Sequence, residues 1–149
     1  MVENFGTTDK ENRDDLTSNC LNLEGMQILL VDDDADSRDF VSFVLVEEGA
    51  KVITAASGFE ALQILPKVPL DILISDIGMP EMDGYMLLRE IRSLPSEYNS
   101  NIPAIAVTAY AAELDQEQAL SAGFKTHVTK PVDPDELVAI VLQVIKGGI

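Results

Sequence analysis

The chain contains a single cysteine, few basic residues and no long apolar run. Cys20 alone can form neither an internal disulfide nor a zinc site, which favours a reducing compartment. Lysine and arginine number 10 against 26 acids, giving a net charge of -16, so we expect no nucleic-acid partner. No apolar stretch approaches the roughly 20 residues that cross a bilayer, and residues 1–19 lack the basic start and apolar core of a secretory signal. These absences predict a cytoplasmic protein that binds neither membrane nor nucleic acid.

Residues 1–25 are polar, carry six acids against two bases and show no apolar periodicity, so we predict a flexible acidic tail or linker there. From Met26 onward, short apolar segments alternate with segments of helical spacing, the first of which includes Phe40 and Phe43. The short apolar segments are 27–31, 52–54, 70–75, 102–107 and 126–128. The alternation predicts an α/β domain over 26–149, in which a doubly wound, five-stranded parallel sheet is covered by helices on both faces.

Capping signals agree with this division into strands and helices. Asp133 precedes a proline and is predicted to cap the last helix, whereas either Asp34 or Asp36 is predicted to cap the first. A glycine follows three of the helical segments, at the place where a left-handed residue ends a helix. These glycines are Gly49, Gly123 and Gly147.

Polar side chains follow four of the predicted strands at the point where each strand ends. The run Asp32–Asp34 follows the first strand, Asp76 the third, Thr108 the fourth and Lys130 the fifth. Parallel strands bring these ends to one rim, where ligands of such sheets bind. Taken singly, each residue has a simpler explanation, as a helix cap, a solvated loop acid or an exposed lysine. Their recurrence after four core strands is harder to explain by chance.

The residue types at this rim suit phosphoryl transfer. Carboxylates gathered together repel one another unless a cation neutralises them, and a set of oxygen ligands suits Mg²⁺ or Mn²⁺. A carboxylate can also act as a nucleophile and become an aspartyl phosphate. Lys130 can pair with the negative charge of a phosphoryl group, and Thr108 can donate a hydrogen bond to one of its oxygens.

Receiver domains of two-component response regulators share signature segments, which four segments of this chain resemble in order and spacing: ILLVDDDADSR, LISDIGMPEMDGY, IPAIAVTAYA and AGFKTHVTKPVDPDEL. The resemblance covers residues 26–146. It implies the flavodoxin-like (βα)5 receiver fold and phosphorelay signalling, with self-dephosphorylation as the only enzymatic activity. The chain is similar both to receivers attached to hybrid sensor histidine kinases and to stand-alone single-domain regulators.

The same resemblance implies which residues form the site. Asp76 would be the phosphorylated residue. The cofactor would be Mg²⁺ (or Mn²⁺), with Asp32, Asp33, Asp76 and the backbone carbonyl of Gly78 as its ligands.

Two further residues would act on the phosphoryl group, by the same resemblance. Thr108 would be the switch hydroxyl, and Lys130 would contact the phosphoryl group. The peptide bond between Lys130 and Pro131 would be cis. The phosphoryl donor would be a sensor histidine kinase or a histidine phosphotransfer protein.

Three positions distinguish this chain from the commonest receiver pattern. His127 stands where the family usually has Tyr or Phe, and it is interpreted as a half-buried packing residue or as a pH sensor. Gly78 and Tyr110 border the path of the hydrolytic water in this family, so we expect them to set the lifetime of the phosphoryl group.

The last helical segment carries apolar side chains over a wide arc between residues 137 and 145. We expect either deep packing of this helix or an exposed strip that forms a homodimer or holds a partner helix. An aspartate-nucleophile phosphatase is a less favoured alternative function, because such enzymes usually have a second acid where Gly78 stands. A receiver that binds partners without phosphorylation conflicts with the complete set of acids, hydroxyl and lysine.

Overall fold

The computed structural model describes residues 22–109 and 116–147, which form one parallel sheet with helices on both faces. The strands are β1 (Gln27–Val31), β2 (Lys51–Ala55), β3 (Ile72–Asp76), β4 (Ala104–Thr108) and β5 (Thr126–Thr129). The helices are α1 (Ala35–Glu47), α2 (Gly58–Ile64), α3 (Gly84–Arg92), α4 (Gln116–Ala122) and α5 (Pro134–Ile145), with a short 3-10 helix at Ser96–Tyr98. Within the described ranges, no helix has the length and apolarity needed to cross a membrane. The predicted α/β fold with five parallel strands is confirmed.

Successive side chains of the strands pack against opposite layers of helices. Leu29 and Val31 of β1 belong to a core shared with α2, α3 and α4, whereas Ile28 and Leu30 belong to a core shared with α1 and α5. All five residues of β3 and of β4 are buried, because helices cover both faces of the central strands. This double cover explains why these strands appear in the sequence as nearly continuous apolar runs.

The order of strands in the sheet brings two of the predicted site residues together. The sheet order is β2-β1-β3-β4-β5, so β1 pairs with both β2 and β3. The chain adds β2 on one side of β1 and the later strands on the other side, all of them parallel. Asp32 directly follows β1, and Asp76 is the last residue of β3. Both acids therefore lie at the carboxyl ends of adjacent strands, where sheets of this class bind their ligands.

Helix caps form where the sequence predicts them. Asp34, rather than Asp36, caps α1, since its side chain accepts a hydrogen bond from the Asp36 backbone N–H. Asp133 caps α5 in the same way, and Pro134 occupies the first position of that helix. The three predicted glycines have positive φ angles: Gly49 (95°), Gly123 (110°) and Gly147 (76°).

Leu23 shows that the packed structure begins before Met26, where the sequence places the domain boundary. The Leu23 side chain is fully buried, and its backbone N–H donates to the Glu48 carbonyl at 2.8 Å. A single leucine in a polar segment has no periodicity, so its burial leaves no pattern in the sequence. Of the flexible tail predicted for residues 1–25, residues 1–21 lie outside the described residues.

Apolar residues of two helices lie differently from what their spacing suggests. Phe40 and Phe43 of α1 are 45% and 63% exposed, and the buried face of this helix consists of other residues. In α5 the expected exposed apolar strip is absent, since the side chains across the arc are buried or half-buried. Deep packing is therefore the better description of α5, and a homodimer through this helix remains a prediction.

Candidate functional site

Asp32 is held firmly at the end of β1. Its side chain is 3% exposed, and its Oδ1 atom accepts a hydrogen bond from the Asp34 backbone N–H at 2.9 Å. Its own backbone N–H donates to the Ala55 carbonyl of the neighbouring strand at 3.1 Å. The first acid of the run is thus a rigid, buried carboxylate, while Asp33 beside it is exposed.

Asp76 ends the central strand β3 and is also buried. Its Oδ1 atom accepts a hydrogen bond from the Gly78 backbone N–H at 3.2 Å, and its carbonyl accepts one from the Ser75 hydroxyl at 2.9 Å. Helix α3 begins directly against this backbone: a Cβ atom on Gly84 would lie 2.7 Å from the Asp76 carbonyl oxygen. Glycine at position 84 therefore allows the helix to pack against the acid.

Lys130 extends from the end of β5 to both acids. Its Nζ atom lies 3.1 Å from Asp32 Oδ2 and 3.3 Å from Asp76 Oδ2, and the peptide bond to Pro131 is cis, as predicted. The Lys130 backbone N–H donates to the Thr108 carbonyl at 2.8 Å, which ties the ends of β4 and β5 together. One ammonium group therefore bridges two carboxylates at the rim of the sheet.

Burial and charge shift the pKa of the two central groups. Burial raises the pKa of Asp76, the nearby Lys130 ammonium partly offsets this, and the Asp32 carboxylate raises it further. For Lys130, burial lowers the pKa, but the hydrogen bond to Asp32 and the charge of Asp76 outweigh burial, so its pKa is raised. The lysine is consequently held in its charged form, whereas ionisation of Asp76 is made more difficult.

Three carboxylates converge closely enough to hold a metal ion. Asp32, Asp33 and Asp76 each offer an oxygen atom, and these three atoms all lie within 4.8 Å of one another. An all-oxygen set of this kind suits a hard divalent cation such as Mg²⁺. The single positive charge of Lys130 does not neutralise three carboxylates, so the cluster keeps an excess of negative charge that favours the binding of a further cation.

The other predicted site residues lie around this cluster. Thr108 is buried at the end of β4. Asp76 pairs with Val107 of β4, so Thr108, the next residue, lies one position beyond the acid along the sheet. Gly78 is exposed in the loop after β3, and the role of its carbonyl as a ligand stays a prediction. His127 is half-buried in β5 opposite Ala106. Position 110, with its tyrosine, lies outside the described residues.

Arg38 is a residue of this region that the sequence reading does not identify. It lies in α1, and its Nη1 atom donates to the backbone carbonyl of Asp32 at 2.7 Å. A signal for it exists in the sequence. An arginine four residues after the cap Asp34 stands close to the positive end of the helix dipole, where a cation is disfavoured unless it has another partner.

Comparison with known proteins agrees with this geometry. The response regulator receiver domain, as a protein family, matches residues 28–142. The chain belongs to this family. Receiver domains are the signalling modules of two-component systems, and the five-stranded fold described above is the receiver fold.

Relatives of this receiver domain occur both as short proteins and within long ones. A 14.6 kDa protein of Leptolyngbya boryana, named as uncharacterized, is 49% identical over 121 residues, which is 81% of this chain and 91% of that protein. The transcriptional regulatory protein GlrR of Escherichia coli is 39% identical over 110 residues, covering 74% of this chain and 24% of that protein. The receiver thus spans nearly all of the first relative and about a quarter of the second.

Two solved structures resemble this receiver domain closely. A response regulator of Chloroflexus aurantiacus has a TM-score of 0.75 and 34% identity, covering 81% of this chain and 98% of that chain. The receiver domain of the sensor histidine kinase PA1611 of Pseudomonas aeruginosa has a TM-score of 0.72 and 33% identity, covering 83% and 98%. In the second structure a magnesium ion is coordinated in the active-site cleft.

Proposed function

We propose that Asp76 accepts a phosphoryl group from a phosphohistidine, with Mg²⁺ bound beside it, and that phosphorylation switches a partner-binding surface. The observation that carries this proposal is the Lys130 ammonium, which lies 3.1 Å from Asp32 and 3.3 Å from Asp76. Buried charged groups are a poor means of stabilising a fold. Two buried acids, an exposed third acid and a lysine at one rim are therefore better explained by the binding of an anionic group together with a metal ion.

The proposed reaction uses Asp76 as the nucleophile. A carboxylate oxygen of Asp76 attacks the phosphorus atom, the P–N bond to the histidine breaks, and its electron pair returns to the imidazole nitrogen. The ring takes up a proton from solvent where needed and leaves as neutral imidazole. Attack of water on the phosphorus later breaks the P–O bond to the Asp76 carboxylate and releases inorganic phosphate, which restores Asp76. The domain is therefore a phosphoacceptor and has no external substrate to turn over.

Lys130 and Thr108 act on the transferred group in this proposal. The raised pKa of Lys130 keeps its ammonium charged, so it can pair with the oxygens of the phosphoryl group on Asp76. Thr108 ends the strand adjacent to Asp76, and its hydroxyl would donate to another of these oxygens. Movement of Thr108 towards the phosphoryl group would shift the population of states of the face formed by α4, β5 and α5, where His127 replaces the usual aromatic residue.

The residues present fit a divalent cation. Asp32, Asp33 and Asp76 would hold Mg²⁺ (or Mn²⁺), together with the backbone carbonyl of Gly78. The cation would neutralise charge on the phosphoryl oxygens during transfer. The magnesium ion in the cleft of the PA1611 receiver supports this assignment.

An apolar surface beside the site supports a protein as the phosphoryl donor. A groove of about 230 Å³ between α1 and α5 is lined by Phe40, Phe43, Val44 and Val138. Phe40 also lines a second cavity, of about 350 Å³, that reaches Lys130. Phe40 thus joins the groove to a cavity whose lining, which includes Asp34 and Asp36, becomes more polar towards Lys130. A helical surface of a sensor histidine kinase or histidine phosphotransfer protein could cover the groove and present its phosphohistidine at the rim.

Substitution of Phe43 tests whether the phosphoryl donor is a protein that docks on the groove or a small acyl phosphate. We expect Phe43→Ala to slow phosphotransfer from phosphorylated histidine phosphotransfer domains by about tenfold, because an exposed aromatic anchor is lost. The rate with acetyl phosphate should not change. Phe59→Ala is the matched control, since Phe59 is 52% exposed but lies on α2, across the sheet from α1. Equal slowing by both variants would contradict the proposed docking surface.

Intact mass measurement tests the acceptor itself. The protein is incubated with acetyl phosphate and Mg²⁺, and we expect the mass of one phosphoryl group to be added to the wild type. Asp76→Asn should add none, and EDTA should suppress the addition to the wild type. Asp39→Asn is the matched control, because Asp39 is an exposed acid of α1. No addition to the wild type, or equal addition to the Asp76→Asn variant, would overturn the proposal.

A further inference from the structure

The backbone carbonyl of Asp32 accepts a hydrogen bond from a residue that is neither one of the three acids nor Lys130. The Nη1 atom of Arg38 donates to this carbonyl at 2.7 Å. The Arg38 backbone N–H also donates to the Asp34 carbonyl at 2.9 Å, as part of the first turn of α1. Arg38 therefore connects the helix to the loop on both sides of Asp33.

The bond to Arg38 constrains the peptide unit that joins Asp32 to Asp33. A peptide unit is planar, so holding its carbonyl oxygen restricts the orientation of the whole unit, including the Asp33 nitrogen and the Cα atom that bears the Asp33 side chain. Within the described residues, no hydrogen bond or ion pair holds the exposed Asp33 carboxylate. The position of Asp33 consequently depends on its backbone, which is held by the bond from Arg38 together with the bond from the Asp34 N–H to Asp32 Oδ1.

The guanidinium group is oriented towards the loop backbone. Arg38 is half-buried, and among the residues that the structure describes its side chain donates to the Asp32 carbonyl oxygen rather than to a carboxylate. Its action on the site is therefore indirect and passes through the peptide unit between the two acids. A residue that orients a metal ligand in this way affects how tightly the metal binds.

We propose that Arg38 is a positioning residue for the divalent-cation site, which it preorganises by fixing the Asp32–Asp33 peptide unit. This inference rests on the proposed function, because it requires Asp33 to be a ligand of the cation. Loss of the arginine leaves all three carboxylates in place but releases the orientation of one of them. Weaker metal binding should follow, with little change in the rate of phosphorylation once the metal site is saturated.

Calorimetric titration of the unphosphorylated protein with Mg²⁺ tests the inference without any phosphoryl donor. We expect Arg38→Ala to raise the Mg²⁺ dissociation constant by roughly tenfold or more, as substitutions of residues that orient metal ligands do. Arg38→Lys, which keeps the charge and one donor, should lie between this variant and the wild type. Arg89→Ala is the matched control, because it removes an exposed arginine of α3 and so changes the net charge equally.

The dependence of acetyl phosphate labelling on Mg²⁺ gives a second measurement. For Arg38→Ala the half-saturating Mg²⁺ concentration should rise by the same factor, while the rate at saturating Mg²⁺ stays within about twofold of wild type. If Arg38→Ala were merely unfolded, it would lose the maximal rate instead. The role of Arg38 would then be tested with Arg38→Lys, for which we expect a half-saturating Mg²⁺ concentration above that of the wild type.

Outcomes for the metal site and for Arg38 are distinguishable. If the wild type binds Mg²⁺ and Arg38→Ala binds it equally well, the role of Arg38 is refuted and the metal site stands. Equal weakening by Arg89→Ala would also refute it, since the effect would then not be specific to position 38. If the wild type binds no Mg²⁺, the proposed metal site fails and the inference fails with it.

Discussion

Replacing Lys130 with methionine should destabilise the metal-free domain, because two buried acids then face each other without a counter-charge. The Nζ atom lies 3.1 Å and 3.3 Å from the two carboxylates, and the three side chains are 18%, 3% and 9% exposed. With an effective dielectric constant of about 20, each attraction is about 5 kcal/mol, and the cost of desolvating three charges opposes it. Breaking a buried ion pair costs about 3–5 kcal/mol. Since Lys130 is partly exposed, we expect the lower value, a loss of about 3 kcal/mol in the free energy of unfolding.

Urea denaturation in EDTA measures this loss, and the slope of the free energy against urea should not change. Lys125→Met is the matched control, because Lys125 is an exposed lysine ahead of the same strand. Mg²⁺ should recover part of the loss, since a bound cation would also neutralise the acids. In the Asp76→Asn background the Lys130 substitution should cost at least about 1 kcal/mol less, because one of the two acids no longer carries a charge.

Two results would refute this reasoning. If Lys130→Met costs no more than Lys125→Met, the ammonium does not offset the repulsion between the acids. If the effects of Lys130→Met and Asp76→Asn simply add, the two groups are not coupled at all, and their 3.3 Å contact has no energetic meaning.

Other substitutions test the electrostatics, the packing and the domain boundary. The pKa of Asp76 is raised in the folded protein, so the unfolded chain loses this proton at a lower pH than the folded protein does. The stability of the wild type therefore falls as the pH rises from 3.8, the ordinary pKa of aspartate, through the folded pKa. Asp76→Asn should be more stable than wild type in EDTA at neutral pH, and this advantage should shrink as the pH is lowered towards 3.8. Equal pH profiles for the two proteins would contradict this. Gly84→Ala should cost about 2 kcal/mol in urea denaturation, because its Cβ would lie 2.7 Å from the Asp76 carbonyl oxygen. Gly78→Ala, which meets nothing within 4 Å, should change stability by less than about 0.5 kcal/mol, and equal costs would mean that the close approach at Gly84 is unimportant. Leu23→Ala should cost about 3 kcal/mol, against less than about 0.5 kcal/mol for Leu120→Ala at a 64% exposed position, and a Leu23 effect as small as the control would exclude residue 23 from the core.

The sequence was sufficient to predict the fold and the position of the rim. Strands buried on both faces leave nearly continuous apolar runs, and the five strands fall within two residues of the predicted segments. Parallel pairing then brings the strand ends together irrespective of the helices between them. For this reason Asp32, Asp76 and Lys130, which are far apart in the chain, could be assigned to one place before their distances were known.

Other features depend on contacts that leave no periodic pattern. The spacing of Phe40 and Phe43 suits a helix, but spacing alone does not determine which apolar side chains face the sheet. Leu23 is buried by a turn that packs against the end of α1, which is a single long-range contact. The bond from Arg38 to a backbone carbonyl depends on the path of the loop after β1. Each of these required the three-dimensional arrangement.

Chemical trapping of the acyl phosphate tests the assignment of Asp76 most directly. Borohydride reduces an aspartyl phosphate to homoserine, so the modified residue can be located by peptide mass spectrometry after treatment with acetyl phosphate and Mg²⁺. We expect homoserine at position 76 in the wild type and at no position in the Asp76→Asn variant. Homoserine at Asp32 or Asp33, or no homoserine in a protein that folds and binds Mg²⁺, would contradict the phosphoacceptor role of Asp76.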